Sequence, residues 1–194
     1  MLIKKVSAYI LYSTKQGYDE ILAFSQNDTE NKSYEIPGGT VEKGERLEEA
    51  LTREIKEETG FQEFTIEKKL GKVVYKNSTD TFVRTFFSVR INQPMQDTFS
   101  NYVKGSGKDS GSLYNFTWLS PQETLLLTPR DTHFLSRKFL PSVFTPDTLL
   151  GLSNKTISLM PSDVLWKKKF REEKQLIRKN IQDRSVIIEH IGST

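Results

Sequence analysis

Three glutamates, Glu54, Glu57 and Glu58, crowd one short stretch of the chain, with Arg53 directly before them and Glu45 a little upstream. Residues 42–58 carry seven acids and four bases. Leu47, Leu51 and Ile55 recur four residues apart, so residues 46–59 read as a helix with these side chains on its buried stripe, and Gly60 falls where a C-terminal cap belongs. At about 100° per residue, Glu54 and Glu58 flank that stripe and Glu57 lies beside them. Glu49, Thr52 and Lys56 form the solvent-facing back. A bare helix is penalised by this pattern. Like charges at i, i+4 repel by about 0.2–0.5 kcal/mol per pair, and carboxylates near a helix C-terminus oppose the helix dipole. A bound cation relieves both penalties, and several oxygens within a few ångströms suit a hard divalent ion such as Mg²⁺ or Mn²⁺. A solvated acidic face is the alternative that spacing alone leaves open.

The elements that must position these carboxylates follow from the flanking pattern. Residues 3–12 and 20–25 read as strands, and Pro37-Gly38-Gly39 ends a short extended piece at 34–36. Strands are expected at about 64–76 and 80–91, joined by a turn at Asn77-Ser78-Thr79-Asp80. Residues 92–112, polar and glycine-rich, read as a long loop, and residues 114–119 as a further strand. Ser120-Pro121-Gln122-Glu123 carries the marks of a helix start, and another helix is expected at about 131–140. Residues 146–160 read as a linker, and a helix at 164–180 and a strand at 185–191 close the chain. The expected class is α/β.

Composition narrows the function. The chain has 194 residues, 36% hydrophobic and 27% charged, which describes a soluble globular protein; the formal net charge of +3 argues neither for nor against nucleic-acid binding, and a nucleic-acid partner is not expected. It has no cysteine, which removes thiolate and disulfide chemistry. With neither a secretory leader nor a run long enough to span a membrane, a cytoplasmic location is expected. Residues 163–184 hold eight bases and four acids, so an acidic middle and a basic tail point to two units.

The segment from Gly39 to Phe61 resembles the Nudix box. Gly39, Glu45, Arg53, Glu54, Ile55, Glu57, Glu58, Gly60 and Phe61 fill its nine defined positions in order. The resemblance implies a mixed β-sheet sandwiched between α-helices over residues 1–145, with the box forming a loop–helix–loop. It implies that Glu54, Glu57 and Glu58 hold Mg²⁺, with Mn²⁺ as a substitute, and that the Gly39 carbonyl is a further ligand. Arg53 would orient the glutamates, and Glu45 would brace the loop or join a second ion. The implied reaction is hydrolysis of the diphosphate linkage in a small nucleotide-type substrate. Asp109 is the candidate for an extra ligand or base, and Tyr34 for stacking on a nucleobase. A homodimer is left open. The competing reading is a regulator that binds an ADP-ribose-type nucleotide without turnover.

Residues 161–194 carry a second resemblance. Trp166, Phe170 and the closing His190-Ile191-Gly192-Ser193-Thr194 look like the opening of the GrpB family, whose members have a nucleotidyltransferase-like fold. The resemblance implies a helix–strand extension that is the truncated start of such a domain, without its metal-binding carboxylates. The other reading is a helix and strand packed on the preceding domain.

Overall fold

The structure is a computed structural model, and it describes residues 1–26, 33–92, 96–105 and 109–145. The expected linker at 146–160, the helix at 164–180 and the strand at 185–191 lie outside the described residues. Six strands form one sheet: β1 (Leu2–Ser13), β2 (Asp19–Ser25), β3 (Thr65–Lys76), β4 (Thr81–Arg90), β5 (Thr98–Tyr102) and β6 (Leu113–Leu119). Among the described residues one α-helix, α1 (Leu47–Thr59), packs against it. The order across the sheet is β3-β4-β1-β2-β6-β5. β1 runs parallel to β4, from Leu2 opposite Thr81 to Leu11 opposite Arg90, and every other pairing is antiparallel. The sheet is therefore mixed, as expected.

β1 is central because both faces of its middle stretch are buried. Val6, Ala8 and Ile10 point to one side and Tyr9 and Leu11 to the other, all buried. On the first side Ala50, Leu51 and Ile55 of α1 pack against Val6, Ala8, Ile10, Phe87 and Val89. On the second side Tyr9, Leu11, Ile21 and Phe86 are covered by Leu127, Phe134, Leu140, Val143 and Phe144. Among the described residues this second cover is not α-helical. The helix expected at 131–140 is a chain of tight turns, with Leu135 bonding back to Thr132, and Phe139 and Leu140 to Ser136. Phe134 there fills the space above Gly71, where a Cβ would come within 2.5 Å of its ring. The helix expected after Ser120 is a single 3-10 turn, Glu123–Leu126.

The long loop expected at 92–112 contains an element that the sequence reading missed. β5 pairs with β6 at the edge of the sheet, with Phe99 opposite Phe116. Among the described residues no helix is long and apolar enough to cross a membrane.

Candidate active site

The site is built from a glycine turn laid on β1 and the C-terminal half of α1. The Ala8 amide donates to the Pro37 carbonyl at 2.8 Å and the Val6 amide to the Gly39 carbonyl at 3.0 Å, so residues 37–39 run along β1. A Cβ on Gly38 would lie 2.2 Å from the Val6 carbonyl oxygen and 2.7 Å from Ser7 Cα, which only glycine avoids. A Cβ on Gly39 would instead strike the Glu54 carboxyl, at 2.2 Å from both Cδ and Oε1. The two glycines thus do separate jobs, one seating the turn and the other opening a cradle for Glu54. Glu58 is tied to the same turn, its Oε2 accepting the Gly38 amide at 2.8 Å.

Arg53 is the hub of the carboxylates. Its Nε and Nη2 donate to the two oxygens of Glu45 at 2.9 and 3.0 Å, a fork-on-fork pair. Nη1 donates to Glu54 at 3.0 Å and to Glu57 at 3.3 Å, and Nη2 also reaches the Thr40 carbonyl at 3.0 Å. Glu45 in turn accepts the Glu42 amide at 2.9 Å, which fastens the loop before α1. The other end of the helix is held from β5 and the chain beyond it. Asn101 Nδ2 donates to the Glu58 carbonyl at 2.7 Å and the Lys104 amide to the Glu57 carbonyl at 3.0 Å.

Burial and mutual repulsion set the electrostatics. Burial pushes the Glu58 carboxyl well above the ordinary glutamate range; the Gly38 amide opposes this, and the charges of Glu54, Asp109 and Glu35 add to it. Burial also raises Glu54, against the pull of Arg53. Glu45 is lowered, chiefly by its hydrogen bonds from Arg53. Glu54 and Glu58 thus resist ionisation, and a cation would stabilise their charged forms.

A family model for the NUDIX domain matches residues 1–143. The chain belongs to the Nudix family. An RNA pyrophosphohydrolase of Wolbachia sp. subsp. Brugia malayi is 31% identical over 101 residues, which is 52% of this chain and 60% of that relative. The match therefore spans less than two thirds of the relative's length. Solved structures that resemble the fold include an Ap4A hydrolase from C. elegans, 21% identical, covering 64% of this chain and 85% of the other with a TM-score of 0.47. A Nudix hydrolase from Nitrosomonas europaea is 18% identical, covering 76% and 95% with a TM-score of 0.49.

Within this Nudix domain the structure brings together Gly39, Glu45, Arg53, Glu54, Glu57 and Glu58. Asp109 is exposed in a turn outside α1, near enough for its charge to act on Glu58. Tyr34 lines a different opening from the carboxylates. It pairs with Leu127 and lines a cleft of about 430 Å³ with Ser25, Ser100, Asn115 and Thr117.

Sequence reasoning missed several neighbours of the site. Glu35 acts electrostatically on Glu58 and pairs with Arg130. Lys5 is half-buried and its pKa is lowered by burial and by Arg84 and Arg130, while Glu54 and Asp109 oppose the shift. Gly105 approaches Glu57 so closely that a Cβ would meet its carboxyl at 2.7 Å. None of these was findable from the box, because each reaches the site by tertiary contact alone.

The donors fit a hard divalent cation: they are oxygens only, and the Gly39 cradle leaves room for the Glu54 carboxyl. The Gly39 carbonyl keeps one lone pair beyond its bond to Val6. Among the described residues, however, no three acidic side chains are already gathered as a cation cage, since Arg53 draws Glu54 and Glu57 to itself.

Proposed function

We propose that this Nudix protein is a Mg²⁺-dependent hydrolase that cleaves the diphosphate linkage of a nucleoside diphosphate joined to another moiety. The observation that carries the reading is the seating of Glu54 and Glu58 against the 38–39 turn, with Arg53 holding Glu54 and Glu57 from the opposite side. In this reading Glu54, Glu57, Glu58 and the Gly39 carbonyl hold the cation. When bound, Mg²⁺ neutralises the diphosphate and makes a water a better nucleophile at neutral pH. Mn²⁺, with the same preference for oxygen, substitutes for it.

The chain's own groups do the rest. Arg53 orients Glu54 and Glu57, and Glu45 braces Arg53. A carboxylate accepts the proton of the attacking water, either a glutamate of the box or Asp109, which is exposed beside the site. Tyr34, beside a cleft lined by hydroxyl and amide groups, offers a ring to a nucleobase. The enzyme acts in the cytoplasm on small molecules. RNA, named by the Wolbachia relative, belongs on the list of substrates to try.

The test is product release from a panel of nucleoside triphosphates, dinucleoside polyphosphates, ADP-ribose, UDP-sugars and 5′-triphosphorylated RNA, with Mg²⁺, with Mn²⁺ and with EDTA. The expected result is metal-dependent cleavage of at least one compound between two phosphorus atoms. Tight nucleotide binding without cleavage of any of them would favour the ligand-sensing regulator.

A further inference from the structure

Beneath the glycine turn, on the face of the sheet away from α1, lies a buried charge pair that the proposed reaction does not use. Arg84 of β4 and Asp131 are 7% and 0% exposed. Arg84 Nη1 and Asp131 Oδ1 stand 3.7 Å apart, an ion pair without a hydrogen bond. Arg84 Nε and Asp131 Oδ1 have no hydrogen-bond partner. A buried pair of such imperfect geometry adds little to stability, because desolvation offsets its attraction. Buried polar groups left unpaired call for another explanation.

That explanation lies in what the two side chains hold. Asp131 Oδ2 accepts the Ile36 amide at 3.4 Å and the Thr128 hydroxyl at 2.9 Å. The Tyr9 hydroxyl pins the Asp131 carbonyl at 2.6 Å. Arg84 Nη1 donates to Ser7 Oγ at 2.8 Å. Ser7 is the floor of Gly38: a Cβ there would lie 3.0 Å from this same Oγ. One member of the pair therefore grips the chain two residues before Gly38, and the other fixes the hydroxyl beneath it. The Gly38 amide then holds Glu58 at 2.8 Å.

We infer that Arg84 and Asp131 are positioning residues for hydrolysis, setting the 36–38 turn and through it the Glu58 carboxylate. The inference rests on the proposed hydrolase reading and adds to it a pair on the far face of the sheet. They touch neither substrate nor cation and act only through the turn. Their loss changes turnover and cation affinity, and leaves KM for the nucleotide alone.

The test uses the full chain and three variants. Asp131→Asn keeps the shape but leaves Arg84 without its countercharge. Arg84→Met/Asp131→Asn restores charge balance and removes the Ser7 donor. Asp19→Asn breaks a part-buried pair with Arg90 of β4, beside the far end of β1, and serves as the control for stability alone. Five quantities are measured: Tm, kcat and KM with the best substrate, Mn²⁺ affinity by titration, and the exchange rate of the Gly38 amide. The inference expects the double variant to regain the Tm lost by Asp131→Asn while kcat stays down by about tenfold, with KM within about twofold. Gly38 exchange and the Mn²⁺ Kd rise in both Asp131 variants and stay at the wild-type level in Asp19→Asn. Recovery of kcat along with Tm overturns the inference, because the pair is then only structural. If Asp131→Asn does not fold, the charge-balanced double variant decides by the same numbers. If the wild type cleaves no nucleotide, the hydrolase reading fails separately. Gly38 exchange and Mn²⁺ affinity then decide, and unchanged values in the double variant overturn the positioning role.

Discussion

Gly39→Ala isolates the position of one carboxylate from the stability of the fold. A Cβ at Gly39 lands 2.2 Å from Glu54 Cδ and Oε1 and 2.4 Å from Oε2, whereas ordinary contact begins at 3.4 Å. The carboxylate must therefore retreat by about 1.2 Å, the difference between 3.4 and 2.2 Å. The obstructing atoms are the end of a flexible side chain, so the backbone need not move. The expected cost to stability is below about 1 kcal/mol, or a Tm change of less than about 4 °C. Displacement of a catalytic group by about 1 Å costs rate by roughly 10²-fold. Gly39→Ala is thus expected to lower kcat about 100-fold, equivalent to about 2.7 kcal/mol of transition-state stabilisation. Gly38→Ala provides the contrast. Its Cβ meets the Val6 carbonyl oxygen at 2.2 Å and its φ of +153° is strained for any side chain, so it destabilises the fold by about 1–3 kcal/mol as well. The assay is steady-state hydrolysis with saturating Mg²⁺, alongside thermal unfolding. A Gly39→Ala enzyme at wild-type kcat would refute the reasoning, because Glu54 would then work equally well from another place.

Other perturbations probe the remaining parts. Arg53→Lys keeps the charge and loses the fork that grips Glu45, so kcat is expected to fall about tenfold or more in steady-state kinetics, with Tm nearly unchanged. Burial disfavours the Asp19 charge, but hydrogen bonds from Arg90, Ser142 and Ser13 outweigh it and leave the pKa below the ordinary value. That contribution to stability is complete above the unfolded-state pKa, near 3.9, and is lost as the pH falls through the lower folded value. Asp19→Asn should therefore flatten the acid limb of a stability-against-pH curve measured by urea unfolding. Removing residues 161–194 should leave hydrolysis within about threefold, because every residue assigned to the site precedes residue 146.

The site was legible in the sequence because its chemistry is local. Arg53, Glu54, Glu57 and Glu58 occupy neighbouring turns of one helix, and periodicity alone placed that helix, its buried stripe and its Gly60 cap. The strands with apolar runs, β1 and β4 above all, were legible for the same reason. β5 was not, because an edge strand buries only one face. Thr98, Ser100 and Tyr102 are exposed and read as loop, and only Phe99 and Asn101 turn partly inward. The helix expected at 131–140 failed because side chains claimed its start. Asp131 is captured by Thr128 and Ile36, and Phe134 is drawn over Gly71, so helical hydrogen bonds give way to turns. Lys5 and the Arg84–Asp131 pair lie too far from the box in sequence for any pattern to connect them with it, and Glu35, although close to Gly39, falls outside its defined positions.

The central claim is that the carboxylates on α1 hold a divalent cation for diphosphate cleavage. Its most direct test is the Mg²⁺ dependence of hydrolysis by Glu58→Gln beside the wild type, with Tm recorded for both. Glutamine still offers an oxygen to the Gly38 amide, so the turn and the fold are expected to persist. The account predicts a loss of about 10²-fold or more in kcat that added Mg²⁺ does not restore, at a Tm close to wild type. A folded Glu58→Gln protein that turns over at the wild-type rate with the wild-type Mg²⁺ requirement would contradict it.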